Sequence, residues 1–265
     1  MRSARLPGTL KGESMSSRVA LVTGGARGIG RAIALRLGEE GHPVAVADLS
    51  ADGAADVARE INEAGGRAIA LPVDITDSAG VRDAVAIANE ELGPIEVLVN
   101  NAGWDDLMPF VETDEPFWDR VIDINYKGVL RLTSALLPGM LERRWGRIVN
   151  IGSDAARVGS SHEAVYAGAK GAVIAFTKTI ARESARAGVT ANVVCPGPTD
   201  TPLLGEIVGA AEDSAKVISR MTSAVPMKRV GQPSEIAAAV AFLAGEDAGF
   251  ITGQTLSVSG GLTMA

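Results

Sequence analysis

The sequence predicts an α/β fold, a single doubly wound domain whose seven-stranded parallel sheet carries helices on both faces. Three observations point there. Short apolar runs alternate with amphipathic segments from Val19 to Val258, the β-α-β-α order of a parallel sheet. The runs are apolar throughout, without the alternation of a strand with one wet face, so helices must cover both sides. Glycine makes up 31 of 265 residues, against an average of roughly 7%. Such a content suits close helix–sheet packing and a backbone that approaches a ligand.

The elements follow in order. Residues 1–14 show no apolar period and carry three Arg or Lys; they read as a disordered extension to a domain spanning 15–265, with Met15 as an alternative start. Strands are expected at Val19–Thr23, Val44–Asp48, Ala68–Val73, Val97–Asn100, Arg147–Ile151, Thr190–Cys195 and Thr255–Val258. Helical periodicity marks Ile29–Glu40, Ala54–Ala64, Val81–Leu92, Pro116–Leu141 in two pieces, Ala164–Ala187 and Ser234–Gly245. Pro233 opens the last of these, where a missing N–H costs little. Pro198–Pro226 is longer than an ordinary connection. With Leu203, Leu204, Ile207 and Val208 it reads either as short helices forming a lid or as a surface insertion.

Composition excludes several classes. One cysteine, Cys195, cannot form an internal disulfide. Two histidines, His42 and His162, are a poor stock for zinc or a Ser-His-Asp triad, and no metal site is expected. A net charge of −7 argues against nucleic acid as a partner. No run of 18 apolar residues exists, so no membrane span is expected. A cytoplasmic protein fits these features.

Between the first strand and the first helix stands Thr23-Gly24-Gly25-Ala26-Arg27-Gly28-Ile29-Gly30. Glycines allow a tight turn and close approach of the backbone to a pyrophosphate, and the helix N-terminus offers free N–H groups. No Gly-Lys-Ser/Thr follows, which excludes a Walker loop. Asp48 ends the second strand, where an acid accepts hydrogen bonds from the adenosine ribose. It also repels a 2′-phosphate, by about 4 kcal/mol for unit charges 4 Å apart at an effective dielectric near 20. Arg27 pulls the other way, as a guanidinium suited to that phosphate. Asp48 lies nearest the ribose, so NAD is favoured over NADP. Asp74, with Ile75 after it, either lies near the adenine or caps the next helix.

Tyr166 and Lys170 are four apart on one helix and share a face, with Ala167, Gly168 and Ala169 leaving room between them. Ser153 follows the fifth strand, Asn125 lies between the fourth and fifth strands, and Asn100-Asn101-Ala102-Gly103 ends the fourth. Together with TGGARGIG, Asp48, Asp74 and the PGPTDT stretch from Pro196 to Thr201, this order resembles the short-chain dehydrogenase/reductase family over residues 18–265.

The resemblance implies a single Rossmann-type domain, a homotetramer, and an oxidoreductase interconverting a secondary alcohol and a ketone. A dinucleotide sensor without chemistry would be expected to lack Tyr166 or Lys170. By resemblance, Tyr166 is the general acid/base and Ser153 positions the substrate oxygen. Lys170 binds the nicotinamide ribose and lowers the Tyr166 pKa, while Asn125 supports a water-linked proton relay. The cofactor set implied is Gly24, Arg27, Gly28, Ile29, Gly30, Asp48, Asp74, Ile75, Asn101, Ala102, Gly103, Tyr166, Lys170, Pro196, Gly197, Thr199 and Thr201. Position 199 is more often apolar in the family, so a backbone contact is implied there. The small-residue helix Ala164–Ala187 suits packing against a second copy.

NNAGWD, SDAARVGSS, NVVCPGPTDT and LSVSGGLTM are similar, more narrowly, to the 2-hydroxycyclohexanecarboxyl-CoA dehydrogenases. That implies a cyclic 3-hydroxyacyl thioester as the small-molecule substrate. The alternatives are an NADPH-dependent 3-oxoacyl-carrier-protein reductase, for which Arg143, Arg144 and Arg147 are the candidate docking cations, and a sugar or cyclic-alcohol dehydrogenase. Trp104 is a pocket wall or a core residue. Asp105 and Asp154 are expected to order loops, and Arg157 to pair with an acid, with a thioester oxygen or phosphate as its other possible partner. His162 reads as a rim residue and Cys195 as a buried packing thiol.

Overall fold

The computed structural model describes residues 18–209 and 214–264. The extension at 1–14 and Met15 lie outside the described residues. The strands are β1 (Val19–Thr23), β2 (Val44–Asp48), β3 (Ala68–Pro72), β4 (Ile95–Asn100), β5 (Gly146–Ile151), β6 (Val189–Pro196) and β7 (Thr255–Val258). They form one sheet in the order β3-β2-β1-β4-β5-β6-β7, every pair parallel. β1 lies between β2 and β4, with Val22 opposite Val46 on one side and Val99 on the other. After β1 the chain winds one way to β2 and β3, then crosses back to β4. The carboxyl ends of β1 and β4 therefore flank the point where the winding reverses, the place where sheets of this kind bind ligands.

Helices cover both faces. On one, α1 (Gly28–Glu39), α2 (Ala51–Glu63) and α10 (Pro233–Ala244) bring Ile33, Leu37, Val57, Ile61, Ile236 and Val240 onto Val22, Val46, Val99 and Val194. On the other, α3 (Ser78–Leu92), α5 (Gly128–Arg143) and α7 (Ala164–Ser184) bring Val81, Val85, Leu132, Leu136, Met140 and Ile180 onto Leu21, Leu98, Ile148 and Ala191. Burial of this apolar surface, at about 25 cal/mol per Å², drives the assembly.

Three of the element ends that differ from the sequence reading are set by a polar residue. Glu96 interrupts the apolar run of β4 but sits in the strand, its carboxylate paired with Arg18 at 2.7 Å. α2 starts earlier than Ala54 because the Ser50 hydroxyl caps it, accepting from the Gly53 N–H. Asp77 does the same for α3 through the Ala79 N–H. The two pieces expected in Pro116–Leu141 are α4 (Glu115–Ile122) and α5, joined by a π-helical turn at Asp123–Lys127. The short α6 (Ala155–Val158) has too few residues to show a period. The long connection after β6 forms α8 (Pro202–Gly209) and α9 (Ser214–Ala224). Among the described residues, no helix is long and apolar enough to cross a membrane.

Candidate active site

A cleft of about 1140 Å³ opens at the carboxyl ends of the strands. Its floor is the turn after β1. Gly24 and Gly28 hold φ of +63° and +56°, the left-handed region where a side chain is strained. A Cβ on Gly30 would stand 2.0 Å from the Gly24 carbonyl oxygen and 2.4 Å from the Asn101 amide nitrogen, so no residue larger than glycine fits. Arg27 precedes α1 in an extended conformation without a side-chain cap, which leaves the first N–H groups of α1 free. The turn is braced from β4. The Asn101 Nδ2 donates to the Thr23 and Gly24 carbonyls at 2.9 and 3.2 Å, and the Thr23 hydroxyl accepts from the Asn101 and Ala102 N–H groups at 3.0 and 3.1 Å.

The remaining predicted cofactor positions line the same cleft. Asp48 accepts from the Ala26 N–H at 3.0 Å and the Ser50 N–H at 2.9 Å, one bond to each oxygen. This fixes its carboxylate where the turn meets β2. Arg27 is paired with Glu206 on α8, across the cleft. Asp74 does not cap a helix. Its carboxylate accepts from the Thr76 N–H and hydroxyl at 2.8 and 2.7 Å, and the capping falls to Asp77. Ile75 packs on Gly128, where a Cβ would be 2.6 Å from its Cδ1. On the far wall stand Pro196, Gly197, Thr199 and Thr201. The Thr199 hydroxyl donates to the Gly197 carbonyl, leaving the cleft to its backbone. Leu203 and Leu204 of α8 also face the cleft. Ile29, Ala102 and Gly103 also line it. A cradle without Cβ atoms, a free helix N-terminus and an acid at the end of β2 fit a dinucleotide. Among the described residues, no group of three His, Cys, Asp or Glu is placed to hold a metal ion.

Of the four residues read as catalytic, Tyr166 and Lys170 line this cleft, while Ser153 lies beside Tyr166 and Asn125 is buried behind Gly103. Tyr166 and Lys170 lie one turn apart on α7, with the Lys170 Nζ 5.6 Å from the Tyr166 ring centre. Lys170 is buried and donates to the Ile151 carbonyl at 2.9 Å. The Ser153 hydroxyl accepts from the Ala155 N–H at 3.1 Å and lies close enough to the Tyr166 phenol to pull its pKa down. Asn125 is fully buried in the π turn, and its side chain clasps Trp104: Nδ2 donates to the Trp104 carbonyl at 2.7 Å, and Oδ1 accepts the Trp104 N–H at 3.2 Å. The π turn provides the extra residue that brings Asn125 to this loop.

Electrostatics departs from expectation. The phenol of Tyr166 stands above its ordinary pKa, raised by burial and then by Glu163 and Asp105, with the nearby Ser153 hydroxyl pulling it down. Lys170, expected to lower it, has its own pKa reduced to about 8 by burial and spends a hydrogen bond on Ile151.

Other candidates are placed as follows. Trp104 is a wall of the cleft, with Arg120 over its ring at 3.8 Å and Phe117 edge-on at 5.8 Å. Asp154 is buried and accepts from Ser257, which in turn accepts from Arg157. Arg157 thus reaches an acid through a hydroxyl and not by the direct pair expected. His162 is exposed at the rim. Cys195 is fully buried, its thiol pushed up to about 11 by burial. Arg147 is no docking cation: it is buried and donates to the Gly245 and Gly188 carbonyls. Sequence reasoning missed a buried polar ladder. Asn100 donates to Asn150 at 2.8 Å, Asn150 to Thr177 on α7 at 2.8 Å, and Thr177 to the Val173 carbonyl at 2.7 Å. The signal was an asparagine inside the apolar run RIVNI.

Comparison with known proteins agrees with this geometry. A family model described as enoyl-(acyl carrier protein) reductase matches residues 24–263. A 3-oxoacyl-(acyl-carrier-protein) reductase of Vibrio harveyi is 41% identical over 253 residues, covering 95% of this chain and 99% of the relative. The Staphylococcus epidermidis reductase of the same name is 40% identical over 249 residues, covering 94% and 100%. A solved structure of an actinorhodin polyketide ketoreductase variant with NADPH superposes with a TM-score of 0.88 at 41% identity, covering 93% of this chain and 97% of that one.

Proposed function

The chain belongs to the short-chain dehydrogenase/reductase family of NAD(P)-dependent oxidoreductases, and from that premise we propose that it interconverts 3-hydroxyacyl and 3-oxoacyl thioesters. The observation that carries this reading is the pair Tyr166 and Lys170 in the wall of a glycine-floored cleft, with Ser153 beside the Tyr166 phenol. The substrate class comes from the relatives' names.

Each residue has a task. The turn from Gly24 to Gly30 and the N-terminus of α1 hold the pyrophosphate. Asp48 receives the adenosine ribose and Asp74 and Ile75 flank the adenine. Asn101 to Gly103 support the middle of the dinucleotide, and Pro196 to Thr201 hold the nicotinamide end. When bound, the nicotinamide supplies or takes the hydride. Ser153 orients the substrate oxygen. Tyr166 gives it a proton in reduction and takes one in oxidation. Lys170 holds the nicotinamide ribose, and Asn125 fixes the Trp104 wall and joins the proton relay. Trp104 offers an apolar surface to the acyl group, which suits a cyclic 3-hydroxyacyl-CoA.

NAD is the preferred dinucleotide in this reading. Asp48 is fixed at the end of β2 beside the glycine turn, which supports a contact to the ribose, and the charge of Arg27 is already matched by Glu206. The second reading, an NADPH-dependent 3-oxoacyl-carrier-protein reductase, is favoured by the relatives, one of which was solved with NADPH. Turnover assays separate the two. Oxidation of 2-hydroxycyclohexanecarboxyl-CoA with NAD, outpacing any reaction with NADP, is the expected result. Turnover confined to NADPH and a linear 3-oxoacyl thioester would establish the second reading. Inertness toward every thioester would remove the substrate class.

A further inference from the structure

The loop after Gly103 places a carboxyl group beside the acid/base tyrosine. Asp105 is 6% exposed, and its Oδ2 has no hydrogen-bond partner. It shares the lining of a small recess with Tyr166, Glu163, His162 and Phe117. The loop is tied to the start of α7 by a bond from the Met108 N–H to the His162 carbonyl at 3.0 Å. Asn125 holds its other end through Trp104. Asp105 is therefore fixed in place and not a solvated surface acid, and a buried carboxyl with an idle oxygen calls for a function.

Resting on the reading of Tyr166 as the proton donor and acceptor, we propose that Asp105 is a positioning residue whose carboxylate raises the pH at which Tyr166 gives up its proton, extending ketone reduction toward alkaline conditions. The physical basis is like-charge repulsion: a carboxylate facing the phenol disfavours phenolate. The groups acting on each partner are few. Asp105 faces Glu163 just before α7, Lys170 on α7 and Asp106 from its own loop. Tyr166 faces Asp105 and Glu163, the Lys170 ammonium 5.6 Å from its ring, the Ser153 hydroxyl after β5 and the Cys195 thiol at the end of β6, with His162 in the same recess. Burial pushes Asp105 up to about 7, with the charges of Glu163 and Asp106 adding and Lys170 opposing. The repulsion is thus weak below pH 7, where Asp105 is neutral, and full above it.

The test is the pH dependence of kcat/KM in both directions, for wild type, Asp105→Asn and Asp105→Glu, each saturated with dinucleotide. Oxidation rises, and reduction falls, as Tyr166 loses its proton. In Asp105→Asn both limbs are expected to move to lower pH by about one unit, roughly tenfold in oxidation rate on the rising limb. Asp105→Glu should restore them. Asp105→Ser replaces Asp105→Asn should that variant fail to fold. A second readout avoids turnover: ultraviolet titration of the phenolate in the dinucleotide complex, in a Tyr126→Phe background that leaves Tyr166 as the single tyrosine. A phenolate titration at lower pH in Asp105→Asn supports the proposal. Limbs and titration that coincide with wild type, with kcat merely scaled down, overturn it. Undiminished turnover by Tyr166→Phe would instead sink the acid/base reading beneath it.

Discussion

Gly30 has room for a hydrogen atom and nothing more. A methyl group there would collide with the Gly24 carbonyl and the Asn101 amide, both parts of the braced turn that is to receive the pyrophosphate. Gly30→Ala is expected to cost about 1–3 kcal/mol of stability from overpacking. Dinucleotide affinity should fall at least about tenfold, readable by calorimetric titration. Retained affinity would show that the turn can shift without consequence. The neighbouring residues divide by what could be read in advance. The Tyr166–Lys170 spacing and the glycines are local patterns, legible along the chain. The burial of Asp105 and Arg147 was not legible, because each charge is enclosed by segments distant in sequence: α7 for Asp105, and the ends of β6 and α10 for Arg147.

At the scale of elements, α7 must sit accurately on the sheet, since it carries both Tyr166 and Lys170. Apolar contacts through Ile180 and Ala181 supply adhesion but little registration. The ladder from Asn100 through Asn150 to Thr177 supplies registration, linking β4, β5 and α7 through directional bonds. Asn150→Ala would leave the Asn100 amide without its partner in a fully enclosed place and remove the donor to Thr177, whose hydroxyl keeps its bond to the Val173 carbonyl. A loss of about 1–3 kcal/mol in denaturant unfolding is expected, with reduced kcat. Unchanged unfolding would mean that packing alone registers α7. The π turn at Asp123–Lys127 is a similar case. Helical periodicity located the helices on either side, but one added residue in a turn leaves no clear mark in a pattern of period 3.6. α8 and α9 arose from the long segment read as a possible lid, and Leu203, Leu204 and Glu206 give α8 contact with the cleft and with Arg27.

For the whole molecule, the continuous apolar strands announced a two-sided parallel sheet because burial on both faces leaves no polar alternation to see. Strand order left no such mark in the sequence; with β1 between β2 and β4, the cleft lies at the winding reversal. The outer face of α7 offers a further expectation. Ala164, Gly168 and Ala175 are exposed, and a Cβ on Gly168 or Gly171 would meet open space. We propose that this stripe packs against a second copy within a homotetramer. Light scattering should then give four times the 27.2 kDa chain mass; a monomer at working concentration would refute it.

The central claim is that this cleft performs proton transfer through Tyr166 beside a bound dinucleotide. Turnover of wild type and Tyr166→Phe with the same thioester, together with the dinucleotide affinity of each, tests it most directly. Loss of the phenolic hydroxyl is predicted to lower kcat by about 10²–10⁴-fold while dinucleotide affinity stays within a few-fold of wild type. Wild-type turnover by Tyr166→Phe would contradict the account.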